Sequence, residues 1–252
     1  MTIALDTLRA LPLFSDLSQD DGAVLVRNSR IISCNRGQFL FMHGDKITHF
    51  YVICRGAMQI FRETPGGQVV TNNILIAGDS INADEVVARQ AEHAVNARAV
   101  DDCSLLEIPI FWMREHLKDF DHIAEKLLAS LADRLHSAQI DAEHLTTMSA
   151  AQIVACYLQK LCVLYNFDPN GFELPYTKTL IASRLHIEKE TFSRTLQTLR
   201  DQGITVDGAH VSIKDMRKAD NFVCGECSVA EECATHRVLH EKLDKRSPLK
   251  GL

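Results

Sequence analysis

No stretch of this 252-residue chain approaches the roughly 18 consecutive apolar residues of a membrane span, so no membrane partner is expected. The N-terminus, MTIALDTLRALPLF, carries acidic and basic residues too early for an export signal, which predicts a cytoplasmic protein. Also missing are a phosphate loop, an HExxH pair and any recognisable nucleophile–base pair, and with them the ground for an enzyme. There is no basic excess: a net charge of −6 argues against broad, non-specific nucleic-acid binding. The first 33 residues hold no cysteine, and without an export signal the eight cysteines beyond them are not expected to form structural disulfides.

What the chain does have is length for two domains with proper cores, and the apolar and charged fractions of a globular protein. Its most informative stretch is Thr177 to Arg200, TKTLIASRLHIEKETFSRTLQTLR. Ile181, Ala182 and Leu185 form the buried face of a first helix, and His186-Ile187 breaks the pattern. Phe192, Leu196 and Leu199 restart it at i, i+4 and i+7. Lys189, Glu190, Ser193, Arg194 and Gln197 are left on the opposite face, side chains that can bond base edges and phosphates in a major groove. Thr177 and Lys178, at the start of the first helix, complete the expected DNA-binding set. The plainer alternative is an amphipathic helix pair with a solvated face. Residues 148–221 hold nine Lys/Arg against eight Asp/Glu, so the acidic excess lies elsewhere.

The surroundings predict an α+β chain. From about residue 14 to 115, short apolar runs (FLFM, FYVIC, MQIF, VVTNNILIA, SLLEIPIF) alternate with turn signals at Gly37, Gly44-Asp45, Gly56, Gly67 and Gly78-Asp79. That pattern suggests a β-barrel or roll, interrupted by one short helix over Asn82–Gln90. From Phe120 to Leu145 a long helix is expected. Its residues Ala124, Leu128, Leu131, Leu135, Ala138, Ala142 and Leu145 form a heptad seam with charge on both flanks. This favours pairing with a second copy, the alternative being a helix docked along its own domain. A helix from Ser149 to Leu164 follows. After the two-helix unit, Gly203–Ile213 reads as two short strands around Asp207-Gly208, a hairpin. The expected domains are 1–118 (roll), 119–147 (dimerisation helix), 148–221 (winged helix-turn-helix) and 222–252 (a cysteine-containing tail).

Roll, long helix and winged helix-turn-helix in this order resemble the CRP/FNR family of bacterial transcription regulators, over about residues 8–218. LPLFSDLS is similar to the family's opening. Glu190, Ser193 and Arg194 match the Glu-x-x-Ser-Arg of the FNR branch. The resemblance implies a homodimer on a two-fold DNA site with half-sites like TTGAT, and RNA polymerase as a partner. His186 stands where many relatives have a turn glycine, and Leu180 replaces a commonly polar residue. In cyclic-AMP-binding relatives a Gly-Glu pair and an Arg-Ser pair hold the phosphate; here Ala83-Asp84 and His93-Ala94 fall at those places. A buried phosphate without its arginine would be an unpaired charge, which argues against cyclic AMP.

Cys224, Cys227 and Cys233 form C-x2-C-x5-C beyond the hairpin. The spacing resembles three ligands of the oxygen-labile [4Fe-4S] cluster of FNR, relocated from the N-terminus to the tail. Soft thiolates suit an iron–sulfur cluster. The fourth ligand is open between Cys103 and His236, and with His236 the set would also suit tetrahedral zinc. Redox-active or unliganded thiols are the plain alternative. The five other cysteines (Cys34, Cys54, Cys103, Cys156, Cys162) fit buried apolar positions. Haem is the runner-up sensor, with His43, His49 and His93 available in the roll. The tail sequence RVLHEKLDKRSPLKGL is too polar to be expected to fold by itself.

Overall fold

The structure, a computed structural model, describes residues 4–168, 170–225 and 227–245. It divides into two compact units, Met1–His136 and Ser137–Leu252, with the division inside one long helix.

The first unit begins with helices α1 (Leu5–Arg9) and α2 (Gln19–Arg27). Strands β1 (Arg30–Cys34), β2 (Phe39–Phe41), β3 (His49–Arg55), β4 (Ala57–Glu63), β5 (Val69–Ile76) and β6 (Ser80–Ile81) follow, then helix α3 (Ala83–Ala88). The unit closes with β7 (Asn96–Ala99), β8 (Cys103–Pro109), helix α4 (Ile110–His116) and the start of α5 (Asp121–Thr147). The strands make two antiparallel four-stranded sheets, ordered β1-β8-β3-β6 and β2-β7-β4-β5. The short helix falls inside the expected 82–90. All five roll glycines adopt positive φ. At Gly56 no other residue fits, because a Cβ would meet Asp101 Oδ1 and Cys103 Sγ at 2.7 Å.

Strand alternation serves two cores. Tyr51, Ile53, Cys103 and Leu105 face the core shared with the β4 sheet. Phe50, Val52, Leu106 and Ile108 face a second core with Leu8, Phe14, Leu25, Trp112, Met113, Ile123 and Leu127. Each fully buried Phe or Leu there contributes about 1.5–3 kcal/mol. The sequence expectation of mostly strand from 14 to 115 is corrected at both ends. Residues 19–27 are helical because Ser18 caps them, accepting from Asp21 N at 3.0 Å, with Asp20 and Asp21 in the first turn. The last apolar run stops being a strand at Pro109, and Ile110–His116 turns into helix with Trp112 and Met113 inward.

The second unit holds the end of α5, then α6 (Ala150–Leu164), β9 (Phe172–Glu173), α7 (Lys178–Arg184) and α8 (Lys189–Thr198). It continues with β10 (Ile204–Asp207), β11 (His210–Ile213), α9 (Met216–Cys224) and α10 (Ala234–Lys245). Ser149 and Gln152 form a capping box at the start of α6. The hairpin pairs Ile204 with Ile213 and Asp207 with His210, and β9 adds a third strand to it. One core gathers Val154, Leu158, Ile181, Ala182, Phe192, Leu199, Val206 and Val211. The segment beyond the hairpin differs from its expectation. Ala219, Val223 and Leu239, all at most 1 % exposed, lock α9 and α10 into this same core. A polar helix can be held by a few well-placed apolar residues against an existing surface. The last seven residues of the expected tail, 246–252, lie outside the described residues.

In α5 the two faces differ. Ile123 and Leu127 are buried, and Leu131 is half-buried against the same core. Leu128 and Leu135 are each 63 % exposed, Leu145 is 48 % exposed, and Ala138 and Ala142 are also exposed. Among the described residues no helix is long and apolar enough to cross a membrane.

Candidate nucleic-acid interface and metal centre

Thr177 caps α7, its hydroxyl accepting from Leu180 N at 3.3 Å. The turn into α8 runs through His186 at φ 55°, left-handed backbone that explains why a glycine would be at ease there. In α8, Phe192, Thr195 and Leu196 are buried, as is Leu199 just beyond. Lys189, Glu190, Ser193, Arg194 and Gln197 are all exposed, on an arc of roughly 140° at the helical step. Lys178 is half-exposed at the start of α7. Arg194, exposed, donates through Nη2 to the hydroxyl of Thr191 at 3.3 Å, one turn back. The arrangement is a recognition helix of ten residues on a two-helix scaffold, with a hairpin wing beside it.

The tail cysteines are half-buried in the same unit, and none of the eight cysteines forms a disulfide. Cys224 ends α9, and the chain turns back through Cys227 N to Cys224 O (3.2 Å) and Cys233 N to Val229 O (2.9 Å) before α10. This winding brings Cys227 back to Cys224, whereas the ligand cluster found among the described residues joins Cys224 to Asp220 and His236 and contains neither Cys227 nor Cys233. Cys227 Sγ lies 3.6 Å from His144 Nε2 at the end of α5. Asp220, 3 % exposed, meets His236 Nδ1 at 3.2 Å and His240 Nε2 at 2.9 Å. The ligand atoms of Asp220, Cys224 and His236 all lie within 4.8 Å of one another. His236 is thus brought to Cys224.

Cys103 sits in the roll's inter-sheet core, with its thiol donating to Ala57 O at 3.2 Å. Burial, then Asp101, pushes that thiol up to about 11, so it holds its proton at neutral pH. Leu106 faces the other core, as an odd offset along a strand requires. Cys224 is pushed up by burial and then by Asp220 and its thiol neighbours Cys156 and Cys227. A metal ion would reverse that sign, because it takes ligands as thiolates and releases their protons. Half-buried, soft thiols along one turn fit an iron–sulfur cluster or zinc. His144, Asp220 and His240 carry no spacing signal that would have marked them in the sequence. The i, i+4 pair His236/His240 is the one exception, and it shows only once α10 is known to be a helix.

The roll histidines have other partners. His93 is buried and stacks on Phe41 with ring centroids 3.5 Å apart; burial lowers its pKa. His49 bonds the Thr48 hydroxyl at 2.9 Å and faces Glu107 at 3.7 Å. His43 is exposed.

A strand-built roll followed by an exposed recognition helix and wing defines a DNA-binding regulator with an effector domain. Residues 31–117 match the cyclic nucleotide-binding domain, and residues 152–218 match the Crp-like helix-turn-helix domain. The chain belongs to the CRP/FNR family of transcription regulators. It is 23 % identical over 210 residues to the transcriptional activator protein Anr of Pseudomonas protegens, covering 81 % of this chain and 84 % of that one. It is 26 % identical over 201 residues to the cyclic AMP receptor protein of Thermus thermophilus, covering 78 % and 89 %. The solved structure of FixK2 from Bradyrhizobium japonicum shares the fold, with a TM-score of 0.66 at 19 % identity, covering 77 % of this chain and 96 % of that one.

Proposed function

We propose that this regulator senses oxygen, nitric oxide or redox state through an iron–sulfur cluster, of the [4Fe-4S] type, held by Cys224, Cys227 and Cys233. The observation that carries the reading is the placement of these three half-buried cysteines along the one turn that joins α9 to α10, where Cys227 N donates to Cys224 O and Cys227 Sγ lies 3.6 Å from His144 Nε2. A bound cluster supplies an oxygen-reactive group whose loss alters the charge and order of its ligand loop. The protein's share is structural. The turn between α9 and α10 presents the thiols, and His144 faces the sulfur of Cys227. Asp220 anchors α10 to α9 through His236 and His240.

On this reading the protein acts in the cytoplasm as a homodimer on two-fold sites with TTGAT-type half-sites, and meets RNA polymerase there. Arg194 forks onto guanine O6 and N7, Glu190 accepts from cytosine N4, and Ser193 and Gln197 reach base or backbone. Thr177, Lys178 and Lys189 meet phosphates. The exposed seam of Leu128, Leu135, Ala138, Ala142 and Leu145, with Leu131 at its edge, supports pairing of two α5 helices. Cyclic AMP is not the effector we propose, since Ala83-Asp84 and His93-Ala94 stand where cyclic-AMP-binding relatives place their phosphate-holding pairs.

A second reading is favoured by the 4.8 Å cluster of Asp220, Cys224 and His236: structural zinc at the tail, with haem or an organic effector acting in the roll. Metal analysis of anaerobically purified protein separates the two. Iron with acid-labile sulfide is expected, and stoichiometric zinc without sulfide would favour the second.

A further inference from the structure

We infer that Cys156, on α6, is the fourth thiolate of the tail metal centre, completing a set with Cys224, Cys227 and Cys233. This rests on the reading of the tail cysteines as metal ligands. Helix α6 is tied to α9 at the right height: Gln152 Nε2 donates to Phe222 O at 3.2 Å, two residues before Cys224. Cys156 follows Gln152 by four residues, so its side chain leaves the same face one turn on. Cys156 and Cys224 both pack at the edge of the same hydrophobic core.

A second contact closes the arrangement from the other side. His144 and Cys156 line one cavity of about 140 Å³, and His144 Nε2 is the atom 3.6 Å from Cys227 Sγ. The electrostatics agree with that geometry: burial raises the Cys156 thiol most, and Cys233 and Cys227 both add to it while Lys160 opposes them. Two rival ligands are to be weighed. Cys103 is held by Ala57 O in the roll core, and His236, with Nδ1 on Asp220, stands beside Cys224 as the imidazole alternative. Four thiolates also match the donor set of a cubane cluster better than three thiolates and an imidazole.

The assignment gives the metal a hold on the DNA-reading unit. The cavity that Cys156 lines is bounded by Leu185 and His186, the turn that leads into α8. The Arg184–Asp141 ion pair, 2.8 Å, also lies along it. Metal loading takes one proton from each ligating thiol and fastens α6 to the α9–α10 turn. Metal loss frees both, next to the recognition-helix turn.

The test is metal and acid-labile sulfide content, with visible absorbance, of anaerobically purified Cys156→Ala, Cys227→Ala and Cys162→Ala chains beside wild type. The expected result is that C156A and C227A lose the metal alike while C162A keeps it. If C227A loses the metal and C156A retains all of it, Cys156 is not a ligand, although the tail centre stands. If wild-type protein carries neither iron nor zinc, the tail reading falls and this inference with it. Differential alkylation of the wild-type chain, read by mass spectrometry, guards against a misfolded variant. Cys156 should be shielded along with the three tail cysteines until a chelator is added. Labelling of Cys156 in fully loaded protein would overturn the assignment.

Discussion

Replacing Leu128 and Leu135 by alanine probes the α5 seam with little cost to the chain itself. Both side chains are 63 % exposed, so their removal should change monomer stability by no more than about 0.5 kcal/mol each. In a dimer the same surface would be buried. Full burial of a leucine is worth about 1.5–3 kcal/mol, so the 63 % still exposed is worth about 0.9–1.9 kcal/mol per side chain. Two residues on each of two protomers put the loss at about 4–8 kcal/mol, a weakening of roughly 10³- to 10⁵-fold at 1.4 kcal/mol per tenfold. Sedimentation equilibrium over a wide concentration range reads this directly. Leu131 is a poorer choice, because it also packs on the roll's core. If the double variant dissociates at the same concentration as wild type, the two α5 helices do not pair along this seam.

Arg194→Ala should lose about 1–3 kcal/mol per half-site and relax preference at one base pair. Lys189→Ala should instead weaken all sequences alike and reduce the salt slope, both seen in fluorescence anisotropy. Gly171→Ala should destabilise the second unit by about 3 kcal/mol in urea unfolding. Its φ is 91°, and a Cβ there would meet Val211 O at 2.2 Å. In metal-free protein, burial lowers the folded-state pKa of His93 and His144 below 6.5. The unfolded chain therefore takes up protons first as pH falls through 6.5, so stability present above that pH should decline below it. His93→Gln should flatten that decline in urea midpoints measured between about pH 7.5 and 5.

The parts of this molecule that repeat a pattern were legible before any coordinates. The long helix over 121–147, the hairpin at Asp207-Gly208 and the split face of α8 each follow from one periodicity, and each lies where that periodicity puts it. Helix α2 was hidden because its apolar residues are few, and its signal is the cap Ser18 with two aspartates. Helix α10 was hidden for a deeper reason. Its polar composition gives it no core of its own, and Leu239 becomes apolar ballast only against α6 and α9. The same holds for the candidate metal centre. The C-x2-C-x5-C motif is local and visible, whereas Asp220, His144 and His240 come to it only through tertiary packing.

The most direct test of the account joins the metal to DNA binding in one sample. Protein purified without oxygen is assayed for iron and acid-labile sulfide, and its affinity for a duplex with two TTGAT-type half-sites is measured before and after air. The account predicts iron and sulfide in equal amounts, lost on exposure to air together with a change in affinity. An affinity indifferent to air, in protein that carries stoichiometric zinc or no metal, would contradict it.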